Sequence, residues 1–191
     1  MAFYRRHLPH WQPDGARLFV TWRLYGSLPE KLIRSIRNWG EIQKGPRHPN
    51  AGKLFRELDK QLDAGQTGPD WLRQPRIAKL VAESLVFAAE SVGLYDLHAF
   101  VVMSNHVHVL LTPKAPLNRI TRRVKGFTAL RANAILRRRG RPFWQDESFD
   151  RWIRSDSEFQ RVKSYIERNP VLAGLVDAPE KWPWSSASKR P

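Results

Sequence analysis

The chain has 191 residues, with 33 Lys+Arg against 18 Asp+Glu, a formal charge of +15 and a pI near 10.9. That length can bury one sizeable core, and that imbalance favours a polyanionic partner, nucleic acid before acidic lipid. With no cysteine, disulfides, thiol nucleophiles and zinc fingers are excluded, and no apolar run approaches membrane-spanning length.

Residues 1–15 are basic and broken by Pro9 and Pro13, so they read as irregular. The opening stretch has no signal-peptide core, which gives the cytoplasm, in association with the nucleoid, as the expected location. Ala16 to Leu24 alternates as a strand. Ser27 to Trp39 has the length of a short helix. Residues 40–75 carry several Gly-Pro and Pro-Asn breaks around a helical stretch near Lys53 to Leu62, and read as an insertion. Arg76 to Val92 reads as a buried helix ended by Gly93.

Tyr95 to Met103 and His106 to Thr112 read as two strands of a hairpin turned at Ser104-Asn105. Leu117 to Arg138 reads as an amphipathic helix whose apolar stripe is Leu117, Ile120, Val124, Phe127, Leu130 and Ala134. Phe143 to Ile153 is mixed and aromatic-rich. Ser155 to Asn169 opens on a capping box, Ser155 with Glu158, and its expected end is Pro170. Trp182 and Trp184 in the tail are expected to pack on the core. Strands and helices in this order describe an α+β fold, an antiparallel sheet flanked by helices.

Three patterns carry chemistry. His106 and His108 share one face of their strand, roughly 6.5–7 Å apart at Cα, which lets two imidazoles converge on one ion. An isolated pair of this kind is more often simply packed, since two ligands make a poor site. Apolar flanking residues place this pair on a well-held strand. Tyr165 and Asn169 lie one turn apart on one helical face. By spacing alone, Asn169 is equally a helix terminus and a third, oxygen ligand. Tyr165 taken alone reads as a half-buried core residue, because a phenol with a pKa near 10 is a weak nucleophile. A nearby dication would change that, so the tyrosine and the metal ligands belong together. Imidazole plus amide oxygen suits Mg²⁺ or Mn²⁺.

The third pattern is electrostatic. No acidic residue falls between Leu97 and Gln145, a stretch that contains both histidines and ten Lys or Arg. Arg119, Arg122, Arg123, Lys125 and Arg131 lie on the amphipathic helix, where phosphate contact is favoured over a merely solvated face. Gly126 inside that helix costs roughly 1 kcal/mol relative to Ala, which implies a close backbone approach or a kink.

The segments MSNHVHVLLTP, RVKGFTALRAN, FWQDESFDRWIR, YIERNPVLAGLV and WPWSS occur in that order. Together with the opening RRHLPHWQPDGARLFVTWRLYGSLP they resemble the REP-associated tyrosine transposases, within the single-tyrosine HUH transposase superfamily. The resemblance covers most of residues 1–191 as one domain and leaves out 40–75. It implies an HUH endonuclease-like fold with ferredoxin- or RRM-like layers. It also implies a nucleophile at Tyr165, and metal ligands at His106, His108 and Asn169 for Mg²⁺ or Mn²⁺. Relatives cleave and rejoin single-stranded DNA hairpins formed by palindromic repeats, through a 5′-phosphotyrosine. One departure is Leu172, where the family often has Arg, which affects a DNA contact rather than the chemistry. The protein is expected to act as a monomer or a homodimer. The alternatives are a domesticated hairpin-binding protein without cleavage activity, and a metal hydrolase using the two histidines alone.

Overall fold

The computed structural model describes residues 2–5, 9–12, 15–34, 51–65 and 67–188. It begins with an antiparallel ribbon of β1 (Ala2–Arg5) and β2 (Pro9–Gln12), with Ala2 opposite Gln12 and Arg5 opposite Pro9. This corrects the expected irregular opening. Pro9 occupies the first position of its strand, where a missing N–H is tolerated.

A second, four-stranded sheet is the centre of the fold. Its strands are β3 (Arg17–Arg23), β4 (Tyr95–Val102), β5 (His106–Pro113) and β6 (Phe149–Ile153), in the order β4-β5-β3-β6, and each neighbouring pair is antiparallel. The tight turn after β4 is closed by Met103 N–H donating to the His106 carbonyl at 2.9 Å. The outer edge of β4 is covered by the tail: Val102 N–H donates to the Trp184 carbonyl, and Trp182 Nε1–H donates to the Val102 carbonyl. Covering the edge removes a template for unwanted strand pairing.

Among the described residues, the helices that pack around the sheet include α1 (Ala51–Ala64), α2 (Pro75–Glu90), α3 (Leu117–Ile135) and α4 (Asp156–Leu172). Alternation along the strands divides the core in two. Leu18, Val20, Val107, Val109 and Leu111 face α2 and α3, where they meet Ile77, Val81, Leu117 and Ile120. Phe19, Val101 and Leu110 face the other way and meet Val162 and Ile166 of α4. Each such side chain contributes roughly 1.5–3 kcal/mol by leaving water. Trp22 and Trp144 are 3% and 6% exposed and belong to the first core, edge to face with each other.

Two helices differ from expectation. On α3, Leu117, Ile120 and Val124 are buried, but Phe127 and Leu130 are exposed at 52% and 68%, and Ala134 is exposed as well. Thr128 and Ala132 are buried instead, because steps of four keep to the buried face while 127 and 130 rotate off it. On α4, Pro170 does not end the helix, which runs on to Leu172. The stop is Gly174, at φ 69°, with Leu175 N–H donating to the Pro170 carbonyl and Gly174 N–H to the Val171 carbonyl. That is the Schellman pattern of a glycine C-terminus.

Residues 30–34 are helical. The rest of the expected Ser27–Trp39 helix, from 35 onward, and residues 40–50 of the expected insertion lie outside the described residues. Among the described residues, no helix is long and apolar enough to cross a membrane.

Candidate metal centre and tyrosine

The histidines point to the α4 side of the sheet, opposite the face of Val107 and Val109. They are 1% and 0% exposed. Their Nε2 atoms approach to 3.0 Å. Each Nδ1 is held from behind. Asn105 Nδ2 donates to the Leu62 carbonyl at 3.0 Å, which turns Asn105 Oδ1 toward His106 Nδ1 at 2.7 Å. An amide oxygen only accepts, so His106 carries its proton on Nδ1 and presents a lone pair at Nε2. For His108 the partner is Thr21 Oγ1, 2.7 Å from Nδ1, and a hydroxyl there can accept the proton that ligation through Nε2 requires.

Two carboxylates of α1 complete the cluster. Asp59 Oδ1 lies 3.1 Å from His108 Nε2 and 3.9 Å from His106 Nε2, and Asp63 Oδ1 lies 3.7 Å from His106 Nε2. Asp59, His106 and His108 offer ligand atoms that all fall within 4.8 Å of one another, and all three residues are buried. The sequence reading missed both aspartates. In a charged helix their spacing is that of an ordinary solvated face, and no local signal distinguishes them.

Burial drives the pKa values apart. It pushes His106 down to about 3, assisted by the neighbouring His108. His106 is therefore neutral in ordinary buffers, and its approach to Asp63 is not an ion pair. Burial pushes Asp63 up to about 7, with the charge of Asp59 adding to the effect. For Asp59 burial also acts upward, but His108 and then His106 outweigh it and hold the carboxyl below its usual value. Strongly perturbed groups packed together in this way are a mark of functional sites.

Tyr165 is half-buried on α4, its ring centroid 5.9 Å from that of His108 and 6.3 Å from Phe19. One turn later, Asn169 is fully buried with neither amide atom hydrogen-bonded. A buried amide without partners costs on the order of 1–3 kcal/mol per group, a cost that ligation would relieve. Asn169 sits inside α4, so the helix-terminus reading does not explain it.

The basic residues occupy a different layer. Arg119, Arg122, Arg123, Lys125 and Arg131 are all on α3, which packs on the sheet face turned away from the histidines. The positive block is continuous in sequence, but the sheet separates its helix from the metal centre. The four arginines are exposed. Lys125 donates to the carbonyls of Gln145 and Asp146 at 2.6 and 2.7 Å, so its ammonium already ties α3 to the following loop. Among the described residues, nothing outside the adjoining turns of α3 lies within 4 Å of a side-chain position at Gly126, so no neighbouring backbone approaches it. On the histidine side, Arg23 lies opposite His106 across β3 and β5 and is lowered to about 10 by burial.

The family model described as Transposase IS200 like matches residues 72–169, just over half of the chain. The protein belongs to the IS200-like transposase family. His106, His108, Tyr165 and Asn169 lie inside the matched span, whereas Asp59 and Asp63 lie before it. The fold of this family member matches a solved REP-associated tyrosine transposase bound to a REP hairpin, with a TM-score of 0.57 and 17% identity. The match covers 97% of this chain and 82% of that one. At that identity the likeness establishes the shared α+β fold. Among curated proteins, none matches the sequence.

Proposed function

We propose that this transposase-family protein cuts and rejoins single-stranded DNA at palindromic-repeat hairpins, with Tyr165 as nucleophile and a divalent cation held by His106, His108 and Asn169. The observation that carries the reading is the convergence of both histidine Nε2 atoms on one point beside the Tyr165 ring. The residues fit such an ion. His106 Nε2 is oriented as a lone pair, and the Asn169 amide is buried without a partner. Nitrogen and oxygen donors without sulfur suit Mn²⁺ or Mg²⁺. The same reading takes residues 1–191 as one domain with an insertion at 40–75.

When bound, the cation supplies Lewis-acid polarisation of the scissile phosphate and charge that favours the phenolate. Tyr165 Oη attacks phosphorus, and the P–O3′ bond breaks. The 3′ oxygen leaves and takes up a proton, while the 5′ phosphate stays esterified to the tyrosine. An incoming 3′-hydroxyl then attacks that ester, forms the new phosphodiester and returns the phenol. The ester retains the bond energy, so no nucleotide cofactor is needed. His106 and His108 are kept in position by Asn105 and Thr21 throughout. The solved relative's hairpin partner and the charge of +15 support a hairpin substrate here. Arg119, Arg122, Arg123 and Arg131 would contact phosphates away from the cut, and Arg23 would serve on the histidine side.

The test is incubation with labelled single-stranded repeat DNA and Mn²⁺, beside Tyr165→Phe, resolved on a denaturing gel. A covalent protein–DNA band that needs both metal and Tyr165 is expected, with hairpin binding retained in the variant. Binding without any band, across metals and substrates, would replace the strand transferase by a domesticated hairpin binder. A cleavage activity untouched by Tyr165→Phe would indicate a metal hydrolase.

A further inference from the structure

The histidines that should meet a DNA phosphate are sealed, at 1% and 0% exposure. Phe19 and Tyr165 pack on His108, and α1 lies against both Nε2 atoms. Leu62 is 4% exposed, its carbonyl accepts from Asn105, and Asp59 and Asp63 reach the two Nε2 atoms. The Asp59 side chain is 5% exposed, with Oδ1 3.1 Å from His108 Nε2, and Asp63 Oδ1 is buried without a hydrogen bond. Carboxyl oxygens and imidazole nitrogens converging within 4.8 Å of one another in a buried space form an oxygen and nitrogen donor set that a divalent cation accommodates. A carboxylate oxygen is also the nearest protein equivalent of a phosphate oxygen. A DNA phosphate bound there would need the place that Asp59 now takes.

We propose that α1 is a carboxylate-bearing lid. Asp59, with Asp63 beside it, ligates the divalent cation in the DNA-free protein, and the scissile phosphate takes over that position when α1 is displaced. The proposal rests on the two-histidine metal site put forward above, and it adds ligands from outside the span that matches the family. It makes metal affinity without DNA and access of DNA opposing consequences of one helix. Asn169, on α4, keeps its own place in either state.

The experiment is calorimetric titration of the full chain with Mn²⁺, followed by hairpin-DNA titration in saturating Mn²⁺. The proteins are the unmodified chain, Asp59→Asn, Asp63→Asn and the control His108→Ala, each checked for fold by circular dichroism. For Asp59→Asn, Mn²⁺ affinity without DNA should fall at least about tenfold, in the range typical of altered metal surroundings, while hairpin affinity rises. Asp63→Asn should move both in the same directions by less, and it keeps the test open if Asp59→Asn fails to fold. Unchanged Mn²⁺ affinity in both aspartate variants, with loss in His108→Ala, overturns the proposal and leaves the two-histidine site standing. Weaker hairpin binding alongside weaker Mn²⁺ binding overturns the lid, because Asp59 would then be a permanent ligand. No Mn²⁺ binding by the unmodified chain, or binding that survives His108→Ala, overturns the metal site itself.

Discussion

Asn105 shows how one residue sets the chemistry of another. Its amide donates to the Leu62 carbonyl and accepts from His106 Nδ1, which fixes the orientation of the amide and the tautomer of the imidazole together. An apolar residue of similar size cannot do either. Asn105→Leu should lower Mn²⁺ affinity by about 10–100-fold, the usual effect of losing the group that orients a ligating histidine. Calorimetry checks this, and an unchanged affinity would mean that packing alone holds the ring. Thr21 plays the corresponding part for His108 at 2.7 Å. Neither residue touches the substrate in this scheme, so the tyrosine chemistry should survive at saturating metal.

At the level of elements, α4 connects the core to the tyrosine. Ile166, fully buried, follows Tyr165 directly and packs with Phe19, Val101 and Leu110. Ile166→Ala should cost about 2–5 kcal/mol, the range for truncating a buried aliphatic side chain. Denaturant unfolding reads the cost, and a loss below about 1 kcal/mol would mean the site collapses around the cavity. The end of α4 makes a second prediction. Gly174→Ala forces an L side chain into the left-handed region and should cost about 1–2 kcal/mol. A neutral result in the same unfolding assay would show that Gly174 is not the stop.

At the scale of the molecule, the sheet stands between two parts of the proposed function. The tyrosine, histidines and Asn169 are read on the α4 side, while the arginines of α3 lie on the other. DNA held by both must reach around an edge of the sheet. Replacing Arg122 and Arg131 by Ala should therefore reduce the slope of log K against log salt by about one per residue. The covalent yield at saturating DNA should be unchanged. A slope that stays the same would remove α3 from the interface. Removal of the proposed metal should act on global stability as well. A cation bound only by the folded chain stabilises it by about 2.7 kcal/mol at a hundred times its Kd. The melting temperature should rise with Mn²⁺ and fall with chelator, and His108→Ala should abolish the difference.

The sequence by itself determined what depends on near neighbours. Strand alternation put His106 and His108 on one face and Val107, Val109 and Leu111 on the other. Helical spacing put Asn169 one turn from Tyr165, and the order of elements described an antiparallel sheet with helices. Tertiary structure decided what depends on segments meeting from a distance. Asp59 and Asp63 reach the histidines because α1 packs over them, across more than forty residues of chain. On its own helix, nothing distinguishes an aspartate bound for a metal site from one bound for water. The α3 arginines share a charge block with the histidines but not a face, because a sheet buried on both sides turns adjacent segments to opposite layers. Local periodicity encodes which side chains share a face. Only packing decides which faces meet.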